Sequence, residues 1–181
     1  MKNGFTLIEI LVALSIIALL SGIFLVNFSQ SRGRFALQRA VHKLAQDLRE
    51  INQMALSPVE AICPGGKAVY EFGVYLDQFS PDRYILFANC DASREYNSGV
   101  DKALNTVYFE REVSVCRLSP YSPASIVFSP PVPKIYINGL ADTYPEAQII
   151  LWREDDSLNC LEGGADRKVI EVNKSGLIEI K

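Results

Sequence analysis

One histidine, one tryptophan and two methionines occur in the 181 residues, and lysine and arginine together (18) fall short of aspartate and glutamate (21). The scarcity of histidine matters most. With His42 alone, and with no C-x-x-C pair, the usual zinc ligand sets cannot be assembled from sequence neighbours. No Gly-rich phosphate loop, G-x-S-x-G elbow or His-Glu-x-x-His helix is present, so no catalytic or cofactor-binding residue is assigned and no enzymatic activity is expected. His42 lies one place from an apolar stripe and reads as an ordinary surface histidine. A net charge of −3 and a pI ≈ 5.3 argue against a strongly basic nucleic-acid binder as a property of the whole chain. The adjacent acids Glu154, Asp155 and Asp156 lack the alternating spacing of a calcium loop and read as a solvated segment, so no metal residue is assigned.

Beyond residue 28 no long apolar run recurs. That leaves one hydrophobic segment, residues 5–28, followed by enough chain for a single folded core. The segment is long enough to cross a hydrocarbon core of about 30 Å as a helix. A secretory h-region would end after about 7–15 residues, so the segment is expected to stay in the mature protein. Glu9 is its only charge, and an acid inside an apolar span is a functional-site hypothesis that calls for a partner. Lys2 precedes the span, while Arg32, Arg34 and Arg39 follow it. The positive-inside rule alone would therefore place the amino terminus outside.

The string Gly4-Phe5-Thr6-Leu7-Ile8-Glu9 resembles the class III leader of type IV pilins and type II secretion pseudopilins. That resemblance implies cleavage after Gly4 by a prepilin peptidase and methylation of the new terminal amine on Phe5. It implies an amino terminus in the cytoplasm, a single pass through the inner membrane with the globular domain outside, and later incorporation into a pilus or pseudopilus. It also implies a partner for Glu9, the charged amine of Phe5 on a neighbouring subunit, attracted strongly in a low-dielectric layer. The partners implied are other pilin or pseudopilin subunits, the prepilin peptidase, the inner-membrane assembly platform, and the lipid bilayer before assembly.

After the span, Leu37, Val41, Leu44, Leu48, Ile51 and Ala55 recur at alternating four- and three-residue steps, predicting an amphipathic helix that ends near Ser57-Pro58. Gly22, Asn27, Ser29, Ser31 and Gly33 are the places where it could bend. From Lys67 onward, short runs rich in β-branched and aromatic residues predict eight strands: 68–76, 84–88, 106–118, 125–128, 134–137, 148–153, 168–172 and 177–180. Residues 91–105 and 155–166 read as surface loops, and Pro130-Pro131 with Pro133 as a rigid corner. The expected fold is α+β: a long amino-terminal helix, membrane-spanning in its first half and amphipathic in its second, packed on an all-antiparallel domain of about eight short strands. The expected organisation is a leader (1–4), a membrane or filament-core helix (5–28), its amphipathic continuation (29–57) and a β-rich globular domain (58–181). This body is similar in pattern to GspH/FimT-like minor pilins.

Cys63, Cys90, Cys116 and Cys160 all follow the span and suit an oxidising exterior if paired, with unpaired buried thiols as the alternative. Three connectivities are open, of which Cys63–Cys90 with Cys116–Cys160 is preferred here.

Three functions compete. The first is a structural or initiating pilin subunit. The second is a pilus-tip binding module, for example for DNA, needing cations such as Arg94, Lys102, Arg111 and Arg117 gathered on one face; charge gives DNA no support. The third is an anchored β domain that never polymerises.

Overall fold

A computed structural model describes residues 6–57, 59–131, 134–141, 143–154, 160 and 166–181, with only the helical backbone described for 23–32. Among the described residues one helix, α1 (Leu7–Leu56), precedes twelve strands: β1 (Ala61–Ile62), β2 (Ala68–Val69), β3 (Phe72–Leu76), β4 (Arg83–Ala88), β5 (Lys102–Tyr108), β6 (Val113–Ser119), β7 (Ala124–Ser129), β8 (Lys134–Ile137), β9 (Leu140–Ala141), β10 (Glu146–Arg153), β11 (Arg167–Asn173) and β12 (Ile178–Ile180). The chain forms two compact units, Met1–Phe35 and Ala36–Lys181.

In the first unit α1 continues without interruption through the positions where a bend was expected. Every described side chain from 6 to 22 is exposed, Leu7 and Leu19 at 82% and 71%. The structure does not support the expected membrane-spanning first half. Among the described residues, no helix is long and apolar enough to cross a membrane. The side chains of the rest of the expected span lie outside the described residues.

In the second unit the predicted stripe holds. Leu37, Val41, Leu44, Leu48, Ile51 and Ala55 are all buried, and Ala36, Ala40 and Ala45 join them where a larger side chain would hold the helix off the sheet. Three polar clamps fix this half of α1. Tyr84 donates to Asp47, which also binds Lys43. Arg39 forks onto Glu110 at 2.7 and 2.6 Å. Arg49 donates to the Ile178 carbonyl at the edge of β12.

All strand pairs are antiparallel, in sheets of order β1-β2, β12-β11-β10-β6 and β5-β4-β3-β7-β8-β9. Twelve strands, not eight, result from two effects. The runs 68–76 and 106–118 each divide. Between β5 and β6 the chain turns at Glu110, whose carbonyl accepts from Val113, and Glu112 takes a φ of 73°. The two-residue strands β1 and β9 are too short to show a period of two in sequence. The loop expected to reach residue 105 ends at 101, where β5 begins. Most of the loop expected at 155–166, and Pro133 of the corner, lie outside the described residues.

Both disulfides belong to this unit. Cys63 pairs with Cys90 and Cys116 with Cys160, each with Cα atoms 5.8 Å apart, which are the pairs preferred among the three connectivities. The first ties the segment after α1 to the end of β4; the second ties β6 to the connection between β10 and β11.

Candidate assembly site

At its amino end α1 opens on Thr6, whose hydroxyl and backbone N–H both donate to Glu9 Oε2 at 2.8 Å. The Glu9 N–H points back to Thr6 Oγ1 at 3.4 Å. This is a reciprocal capping box: the first-turn amides of a helix have no intrahelical acceptors, and a Thr at the cap with Glu three residues on satisfies two donors at once. The carboxylate also sits where the partial positive charge of the helix end favours it. Glu9 thus has a partner within its own chain, Thr6, which the expectation of an intersubunit partner does not include. The T-x-x-E spacing was the available signal.

Around this box Leu7, Ile8, Ile10, Leu11 and Leu14 are exposed, so the chain presents a solvent-facing apolar helix with one locally held acid. Ser15 adds no second polar surface, since its hydroxyl donates to the Leu11 carbonyl at 2.8 Å. Exposed apolar area on this scale is the mark of an interaction surface. Gly4 and Phe5, the expected processing residues, lie outside the described residues.

The cations considered for a binding face separate in the structure. Arg94 is engaged. Its guanidinium bonds Glu71 Oε1 at 3.0 and 3.2 Å and lies 3.9 Å from the centre of the Tyr136 ring. Burial alone would raise the Glu71 carboxyl, but hydrogen bonds from Ser129, Asn89 and Arg94, with the Arg94 charge, hold it below its ordinary value. Arg94 is therefore a structural residue of the loop between β4 and β5. Lys102, Arg111 and Arg117 are exposed but stand on three elements: the start of β5, the β5–β6 turn, and β6 in the other large sheet. His42 is exposed on α1. Glu154 is exposed while Asp155 and Asp156 lie outside the described residues, and among the described residues no three His, Cys, Asp or Glu side chains gather to hold a metal.

Comparison with known proteins returns one finding. Residues 1–25 match the prokaryotic N-terminal methylation motif, which supports a pilin- or pseudopilin-type protein processed by a prepilin peptidase. No curated protein and no solved structure matches the chain.

Proposed function

We propose that this chain is a minor subunit of a type IV pilus or type II secretion pseudopilus, cleaved between Gly4 and Phe5, methylated on Phe5 and assembled through α1. The observation that carries this reading is the methylation motif over residues 1–25, joined to a helix whose described apolar side chains from 7 to 20 are exposed. Before assembly the apolar segment anchors the precursor in the inner membrane, with the disulfide-bonded β domain on the oxidising side. Glu9 is the assembly acid. Held by Thr6 in the single chain, it exchanges that local contact for the terminal amine of Phe5 on a neighbour, with other subunits and the assembly platform as partners. The β domain supplies identity rather than chemistry.

Intact mass of the membrane-extracted protein is the direct test. The mature form should lack residues 1–4 and carry one methyl group. A protein that keeps Met1 and Lys2 in cells with an active prepilin peptidase would overturn the reading.

A further inference from the structure

The turn between β3 and β4 presents the most exposed large apolar side chain among the described residues, Phe79 at 90%. A lone surface aromatic usually calls for no explanation. Here the backbone beneath the ring is pinned. The Phe79 N–H donates to Asp77 Oδ1 at 2.9 Å, and the Ser80 N–H to the Asp77 carbonyl at 3.3 Å. Gln78 is tied across the fold, its N–H to Ser122 Oγ at 3.4 Å and its side-chain amide to the Cys116 carbonyl at 3.3 Å. A ring held out on a fixed backbone loses little conformational freedom when it is covered. A second ring stands nearby in the register: Tyr108, the last residue of β5, is 61% exposed and pairs with Arg83, which follows the turn.

Contacts along α1 decide which end of the domain this is. β3 pairs Leu76 with Tyr84, and the Tyr84 hydroxyl binds Asp47. Just before β4 the Asp82 carbonyl accepts from the Phe109 N–H at 2.8 Å, and the residue after Phe109, Glu110, holds Arg39. Arg39 lies about 12 Å nearer the amino end of α1 than Asp47 does. Past the other end of β4, Cys90 is bridged to Cys63, beyond the last helical residue, Leu56. The Phe79 turn therefore stands at the end of the domain where α1 enters, and the Cys63–Cys90 bridge at the end where α1 stops. The helix that enters there continues from the one long apolar segment of the sequence, residues 5–28, with only residues 29–35 between.

We propose that the Phe79 turn is a lipid-contact site of the unassembled subunit: Phe79, with Tyr108, seats in the headgroup layer of the bilayer that holds residues 5–28. This rests on the membrane-anchored precursor proposed above and adds a second point of contact, on the globular domain. The occupant is the bilayer because the tether is short. From Phe28 to Ala36 is about 12 Å as a helix, against a headgroup region of about 5–8 Å on each side of the hydrocarbon core, so the end of the domain that carries the tether is within reach of lipid. Aromatic rings suit that layer, where an apolar body and a polar edge are both accommodated. Charge does not carry the contact. Asp77, Asp82 and Glu112 are set against Arg83 and Arg111 at this end, and Glu110 is matched by Arg39. Such a rim gains nothing from anionic lipid, so the rings supply the attraction and zwitterionic headgroups are sufficient. A contact made by two rings is weak enough to be given up when the subunit leaves the membrane for a filament.

The test uses the full-length chain reconstituted in phosphatidylcholine vesicles, with and without phosphatidylcholine brominated on its acyl chains as a fluorescence quencher. Native Trp152, half-buried with its Nε1–H on Ser114 Oγ at 2.8 Å, gives the background emission. Phe79→Trp should add emission that brominated lipid quenches, and raising the salt concentration should not relieve the quenching. Tyr70→Trp, at an exposed position toward the Cys63–Cys90 end, should add emission that brominated lipid leaves intact. Far-ultraviolet circular dichroism and retention of both disulfides report that the variants are folded. A Phe79→Trp chain that floats with the vesicles and is not quenched, equal quenching of Tyr70→Trp, or quenching that needs anionic lipid would each overturn the proposal and leave the anchored-precursor reading standing. A chain that fails to float with the vesicles would overturn both.

Discussion

The Tyr84 hydroxyl of β4 donates a 2.5 Å hydrogen bond to Asp47 Oδ2 of α1, with both side chains at most 2% exposed. Lys43, one turn back along the helix, binds the other carboxylate oxygen at 2.6 Å. A carboxylate this deep is costly unless its oxygens are satisfied, so the pair selects one position of the helix over the sheet. Tyr84→Phe keeps the ring and its packing on Phe109 but leaves Asp47 Oδ2 without its buried donor. A loss of about 1–3 kcal/mol in urea unfolding is expected. The pH dependence carries the same signature. Burial, then the hydrogen bond to Asp47 and its charge, raise the Tyr84 hydroxyl above its ordinary value of 10.0. Above about pH 10 the unfolded chain releases this proton while the folded chain keeps it, so stability present below that pH falls as pH rises, and Tyr84→Phe should lessen that fall.

Gly73 marks a position that admits no side chain. A Cβ there would stand 2.8 Å from the Phe87 ring and 2.9 Å from the Ile126 carbonyl oxygen. Phe87 is itself held 5.1 Å from Tyr96 of the covering loop, so the ring cannot swing away without breaking that contact. Gly73→Ala should destabilise the domain by about 1–3 kcal/mol, measured by thermal melting. An unchanged melting temperature would show that β3 and β7 can separate there.

Removing Cys63–Cys90 by paired Cys→Ala substitution should cost about 3–4 kcal/mol in the chain-entropy account, and Cys116–Cys160 about the same or slightly more. Their sequence separations are 27 and 44 residues. Alkylation of unreduced protein should label no cysteine; labelling of all four would refute the pairing.

Glu9 should be separable from processing. Glu9→Leu removes the acid from an apolar segment, so membrane level and cleavage at Gly4 should persist while incorporation into filaments falls. Glu9→Gln keeps the size and an acceptor for Thr6, so a comparable loss would assign the effect to charge. Normal incorporation of both variants would reduce Glu9 to the helix cap that the single chain shows.

The α1 stripe, the class of the domain and the motif at the amino terminus were legible because each rests on local periodicity or contiguous residues. A helix that buries Leu44 and Leu48 must repeat apolar residues every three or four positions, and that repeat is written in order along the chain. Six of the eight predicted runs map onto single strands for the same reason, and β5 and β6 were fused because the turn at 110–112 carries no glycine or proline to announce it. Thr6 as the partner of Glu9 is also local, since T-x-x-E is written in contiguous residues at the start of α1. Contacts between residues far apart in sequence were decided by the tertiary structure alone. Tyr84 with Asp47, Arg94 with Glu71 and Tyr136, and the sheet orders depend on how the helix, the loops and the strands meet, and no single element encodes which neighbour it meets.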